Sequence, residues 1–127
     1  MTPEQGMNRL VFHTQPDAGS FLDMLRPYRG LRDDVLEDVM DALRACAPTL
    51  SGEQVPQRLV TALWAISHLG RSWALEPDGM LRSNQLISDD DQAKLAAFLQ
   101  RFEYAVMMLL EGVIEEEAFA VDGDERE

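Results

Sequence analysis

The chain of 127 residues lacks most of the features that mark specialised protein classes. It has one cysteine, Cys46, so no internal disulfide can form and a reducing, cytoplasmic location is expected. Its 8 glycines and 6 prolines are too few for a collagen-like or low-complexity chain. The longest apolar run, residues 105–110, is far shorter than the roughly 20 residues of a transmembrane helix. We therefore expect one globular domain over residues 1–127 with no membrane contact.

Motifs of known chemistries are also missing from the sequence. There is no glycine-rich phosphate loop, CxxC pair, HExxH or GxSxG. Neither His13 nor His68 follows a glutamate at the Glu-x-x-His spacing of di-metal helical bundles. The acidic runs 89–91 and 115–117 do not form chelating sites, because consecutive side chains on a helix diverge. We expect no cofactor, no metal site and no catalytic residue, which favours a non-enzyme.

Basic residues are scarce relative to acidic ones. The 11 lysines and arginines are opposed by 23 aspartates and glutamates, which gives a net charge of −12. Only one of the bases, Lys94, is a lysine, a bias typical of GC-rich bacterial genomes. The whole negative excess falls in residues 31–50 and 88–127, and most of it in the second range. An acidic surface repels phosphate backbones, so direct nucleic-acid binding is not expected, whereas a basic protein partner is compatible with this charge.

Hydrophobic periodicity predicts an all-α fold: a bundle of about four helices, one short and three long. Residues 1–16 are interrupted by proline and glycine and are predicted to be irregular, with a short helix starting after Asp17. Long helices are predicted over residues 31–47, over Val55–Leu75 and from Asp89 to about residue 112. The last two should form an antiparallel central pair.

Two further segments have a weaker pattern. Residues 80–87 are predicted to form either a loop or a small hairpin, and residues 118–127 a mobile acidic tail. The helix over Val55–Leu75 has no charged residue between Leu59 and Gly70. A helix that is apolar nearly all round is usually buried on both sides, so we expect that here.

The first candidate binding site is an acidic helix face. Asp34, Glu37, Asp38 and Asp41 lie opposite the apolar arc of the helix over residues 31–47. Such a face could bind a basic protein, as an inhibitor or immunity protein that neutralises a basic toxin would. The alternative is an ordinary solvated face, and on either interpretation we expect all four side chains to point to water.

The second candidate site is a pocket or interface. Trp64, His68 and Arg71 share one helix face, and Arg82 follows in the connection over residues 70–84. Tryptophan and arginine are enriched at the energetic centres of interfaces. Alternatively this is a second buried face, a homodimer contact that also involves Tyr104, Met107 and Met108, or an enzyme pocket if Asp78 converges on the same cavity.

Overall fold

A computed structural model describes residues 1–120, and over that range the chain is all-α with no strand. Eight α-helices and one π-helix follow one another in this range: α1 (Pro3–Phe12), α2 (Phe21–Leu25), α3 (Asp33–Ala45), α4 (Ala47–Leu50), α5 (Gln57–Gly70), the π-helix (Arg71–Leu75), α6 (Met80–Ser83), α7 (Asp89–Leu110) and α8 (Glu115–Ala118). The all-α class is therefore confirmed. The arrangement of one short and three long helices is not matched, because α1 is a fourth long helix and several short helices join the long ones.

Helix α1 lies where the sequence predicted an irregular segment. Thr2 and Gln5 form a reciprocal capping box, and Pro3 occupies a first-turn position that tolerates proline. Gly6 is buried against α3, where an added Cβ would lie 2.6 Å from the carbonyl oxygen of Ala42. Gly6 thus permits close packing of α1 on α3, and the expectation of an irregular segment was wrong because this glycine looked like a helix breaker.

Helices α2 and α3 follow the predicted pattern with shifted boundaries. Ser20, rather than Asp17, caps α2 by accepting a hydrogen bond from the backbone N–H of Asp23 at 3.0 Å. Helix α3 buries the apolar arc that its periodicity indicated. Phe21 from α2 reaches the centre of the core, where its ring centroid lies 5.9 Å from that of Phe98 on α7.

Helices α5 and α7 lie side by side in the core. Gly70 of α5 faces Leu99, where an added Cβ would lie 3.1 Å from the leucine Cδ1, while Val60 shares a groove with Leu110. Residue numbers therefore rise along one helix as they fall along the other, so the two helices run antiparallel. Helix α5 also contacts α1 and α2, so one side of α5 is buried in the bundle.

Each of the two weakly patterned segments includes helical residues. Residues 80–83 form the short helix α6, not a hairpin. The predicted tail starts at residue 118, but Ala118 is buried and the Arg44 guanidinium lies 5.0 Å from the Phe119 ring centroid. The packed chain thus extends at least through Phe119. The remainder of the predicted tail, residues 121–127, lies outside the described residues.

Candidate interaction surfaces

The acidic face of α3 is less open than the sequence suggested. Asp34 binds Arg32 at 2.7 Å and Asp41 binds Arg44 at 3.2 Å. Glu37 is exposed, whereas the side chain of Asp38 is only 31% exposed. The expectation that all four carboxylates point to water is therefore wrong for Asp38.

Asp38 belongs to a network that joins three helices. His13 is completely buried at the end of α1, and its Nδ1 accepts a hydrogen bond from the backbone N–H of Phe21 at 3.0 Å. The ring proton is therefore on Nε2, which donates to Asp38 Oδ2 at 2.7 Å. Arg9 donates to the same oxygen from Nε and Nη2, at 3.0 and 2.7 Å. The Asp38 carboxylate thus holds α1, the start of α2 and α3 together.

The electrostatics of this network follow from burial and pairing. Burial lowers the pKa of His13, because desolvation of the imidazolium outweighs the attraction of Asp38. Burial alone would raise the pKa of Asp38, but hydrogen bonds from Arg9 and His13 together hold it below its usual value. This role is not predictable from local sequence patterns, since His13 and Asp38 lie 25 positions apart in the chain.

The carboxylates of α3 also share a groove with basic side chains. The groove between α3 and α7 encloses about 590 Å³. Its charged lining residues are Asp33, Glu37, Asp41, Arg44, Lys94 and Arg101. Asp33 and Lys94 form an ion pair across it. This face is therefore of mixed charge.

The largest departure from expectation is an open apolar surface on α5 and α7. The side of α5 that was expected to be buried carries Trp64, 61% exposed, and the facing side of α7 carries Met107, 49% exposed. Val60 and Leu110 are about half exposed beside them. Both helices are thus apolar on a side that no other described element covers, and the expectation of burial on both sides was wrong.

These side chains form a continuous groove of about 500 Å³, which we call the α5–α7 groove. Helix α5 contributes Val60, Leu63, Trp64 and Ser67. Helix α7 contributes Phe102, Glu103, Val106, Met107, Leu110 and Glu111. Buried Leu63 and Phe102 form its floor, whereas Trp64 and Met107 form its exposed edges.

The second candidate site is only partly assembled. Trp64 and His68 stack with ring centroids 4.3 Å apart, and Arg71 lines the same small cavity of about 310 Å³. Arg71 binds Glu103 in bidentate fashion, at 2.8 and 2.5 Å, and Ser67 donates to the same carboxylate. Arg82 instead donates to the carbonyl oxygen of Leu75 at 2.8 Å, and neither it nor Asp78 lines the cavity.

The ion pair of Arg71 and Glu103 fixes the charge at this end of the groove. The hydrogen bond from Arg71 lowers the pKa of Glu103, although burial opposes the shift. The guanidinium pKa of Arg71 is raised by the same hydrogen bond. Both groups therefore stay charged and neutralise each other, so this end of the groove presents little net charge.

No model of a protein family, no curated protein and no solved structure matches this chain. Over the described residues, no helix combines the length and apolar character needed to cross a bilayer. In the same part of the chain, no three His, Cys, Asp or Glu side chains are grouped so as to hold a metal ion. The geometry of the surfaces therefore carries the functional argument.

Proposed function

We propose that this chain is a non-catalytic protein-interaction module that binds a basic protein partner through the α5–α7 groove. The observation that carries the proposal is the exposed pair of Trp64 and Met107 over an apolar floor. Exposed apolar surface that is rimmed by polar residues is typical of contact sites. Tryptophan in such a position commonly supplies a large share of binding energy.

Charge supports a basic partner. The chain carries a net charge of −12, and the exposed carboxylate of Glu111 lies at the groove itself, whereas Glu103 is paired with Arg71. Long-range attraction of this sign speeds the association of a basic protein. The acidic face of α3 is a weaker candidate for direct contact, because Arg9, Arg32 and Arg44 already pair with three of its four acids. An inhibitor or immunity role against a basic toxin is one form of the proposal.

The alternatives have weaker support. A homodimer through the same groove would bring together two chains of net charge −12. An enzyme pocket near Arg71 and Arg82 would need both side chains at one cavity, whereas Arg82 lies outside it. We include a cytoplasmic location in the proposal, on the ground that Cys46 is a free, buried thiol.

Site-specific photo-crosslinking in the native cell tests this proposal. A benzoylphenylalanine placed at Met107, inside the groove, should form an adduct with a basic protein. The matched control is the same probe at Leu86, which is also exposed but lies outside the groove. Adding Trp64→Ser to the Met107 probe should reduce the adduct severalfold.

Two results contradict the proposal. Equal adducts from Met107 and Leu86, or none from either, mean that the groove is not the contact surface. An adduct with a second copy of this chain replaces the proposal with the homodimer.

A further inference from the structure

The α5–α7 groove has the dimensions of a seat for one helix. Its α5 side runs from Val60 to Ser67, and its α7 side from Phe102 to Glu111. At about 1.5 Å rise per residue, the two sides are about 10.5 and 13.5 Å long, enough for the rise from position i to i+7 of a helix. A groove between two antiparallel helices is also the place where a third helix packs in bundles. The groove therefore suits three apolar side chains on one helix face.

The charged residues at the groove have one sign only. Of the residues that line it, Glu103 and Glu111 are acidic and none is basic. Glu103 is paired with Arg71, whereas Glu111 is exposed at the other end of the groove, near the end of α7. The exposed acids of residues 115–117 follow after three further residues of the chain. Negative charge is therefore concentrated towards the Leu110 end.

We propose, building on the function proposed above, that the partner inserts a single amphipathic helix into this groove. Its apolar residues lie at i, i+3 or i+4, and i+7, and its lysines or arginines lie beside Glu111. This is the helix-in-groove mode of recognition, in which a few buried side chains supply the affinity and flanking charges set the orientation. Trp64 covers the central apolar side chain of the bound helix.

Other occupants of the groove fit these observations less well. In a symmetric dimer the groove would face itself, which would bring together two surfaces that each carry the exposed carboxylate of Glu111 and have no basic lining residue. Residues 121–127 of this chain read VDGDERE, with one apolar residue and four acids, and cannot supply three apolar anchors.

Selection from a display library of fully randomised 16-residue peptides tests the inference without the native partner. The bait is the full chain, and peptides that also bind the Trp64→Ser/Met107→Ser double variant are removed. Enriched peptides should carry the helical apolar spacing together with an excess of lysine and arginine. They should bind the double variant at least about tenfold more weakly than the wild-type chain, as loss of a central aromatic contact predicts.

Two further variants test whether peptide binding depends on the groove and on its charge. Leu86→Ser removes an exposed apolar side chain outside the groove and should leave the affinity of these peptides within about twofold, as expected for a position with no contact. Glu111→Arg keeps the apolar walls and should remove the preference for basic residues. This second variant also tests the inference if the double variant fails to fold.

The inference is wrong if no peptides are enriched, if enriched peptides lack the helical spacing, or if Glu111→Arg leaves the basic preference unchanged. If Met107 crosslinks to a basic protein but any of these results is obtained, the partner does not bind through a single helix, and the proposed function is retained. A crosslink to a second copy overturns both.

Discussion

Removing the Asp38 carboxylate tests whether the acidic face of α3 is a solvated face or part of the scaffold. Asp38→Ala takes away the acceptor of the Nε2–H of His13, a group with no exposed surface. A buried donor left without an acceptor costs about 1–3 kcal/mol. Arg9 also loses its partner, but its side chain is 44% exposed and water can replace the carboxylate. We expect the free energy of unfolding to fall by about 2 kcal/mol, most of it from His13.

Denaturant unfolding followed by circular dichroism measures this change, and the neighbouring acids provide matched controls. Asp34→Ala and Asp41→Ala remove carboxylates that are both about two-thirds exposed, and each should change the free energy of unfolding by less than about 0.5 kcal/mol. Asp38→Asn retains an oxygen that can accept from His13 and should cost less than Asp38→Ala. Equal effects of Asp38→Ala and Asp34→Ala would refute the structural role, and Asp38 would then be one more surface charge.

Two other predictions concern the same corner of the molecule. Because burial lowers the pKa of His13 in the native state, the unfolded chain binds a proton first as the pH falls below about 6.5. Stability should therefore be constant above that pH and decrease towards pH 5, by at most about 1.4 kcal/mol per pH unit, and His13→Gln should remove the slope in denaturant melts. A free energy of unfolding that stays constant between about pH 7 and pH 5 in the wild-type chain would contradict this prediction. Gly6→Ala should destabilise the fold by about 1–3 kcal/mol, since the new Cβ would lie 2.6 Å from the Ala42 carbonyl oxygen. An unchanged melting temperature would show that α1 moves off α3 at little cost.

Much of the helical architecture was predictable because its signals are local. The apolar arc of α3 and the cap of α7 by Ser88 each depend on residues within a few positions of one another. Helix α1 was missed although Thr2, Pro3 and Gln5 form a local start signal. A glycine inside a helix is unfavourable by itself, and only the close approach of Gly6 to α3 explains its place in α1.

The candidate sites were predictable only in part. Trp64, His68 and Arg71 share a helix face by spacing alone, and the structure keeps them together at one cavity. Arg82 is separated from them because its guanidinium binds the backbone at Leu75. The pairing of Asp38 with His13 and that of Arg71 with Glu103 join residues 25 and 32 positions apart, so no local pattern contains them.

The sequence by itself determined the all-α class, the acidic charge and an unusually apolar α5. Periodicity and composition carry that information, because they depend on neighbouring residues only. Only the tertiary structure decided which apolar faces are covered. A helix that is apolar all round has enough hydrophobic surface for two contacts, but its sequence does not state whether the chain supplies both. In this protein α1, α2 and α7 cover one side of α5, and no element within residues 1–120 covers the side with Trp64.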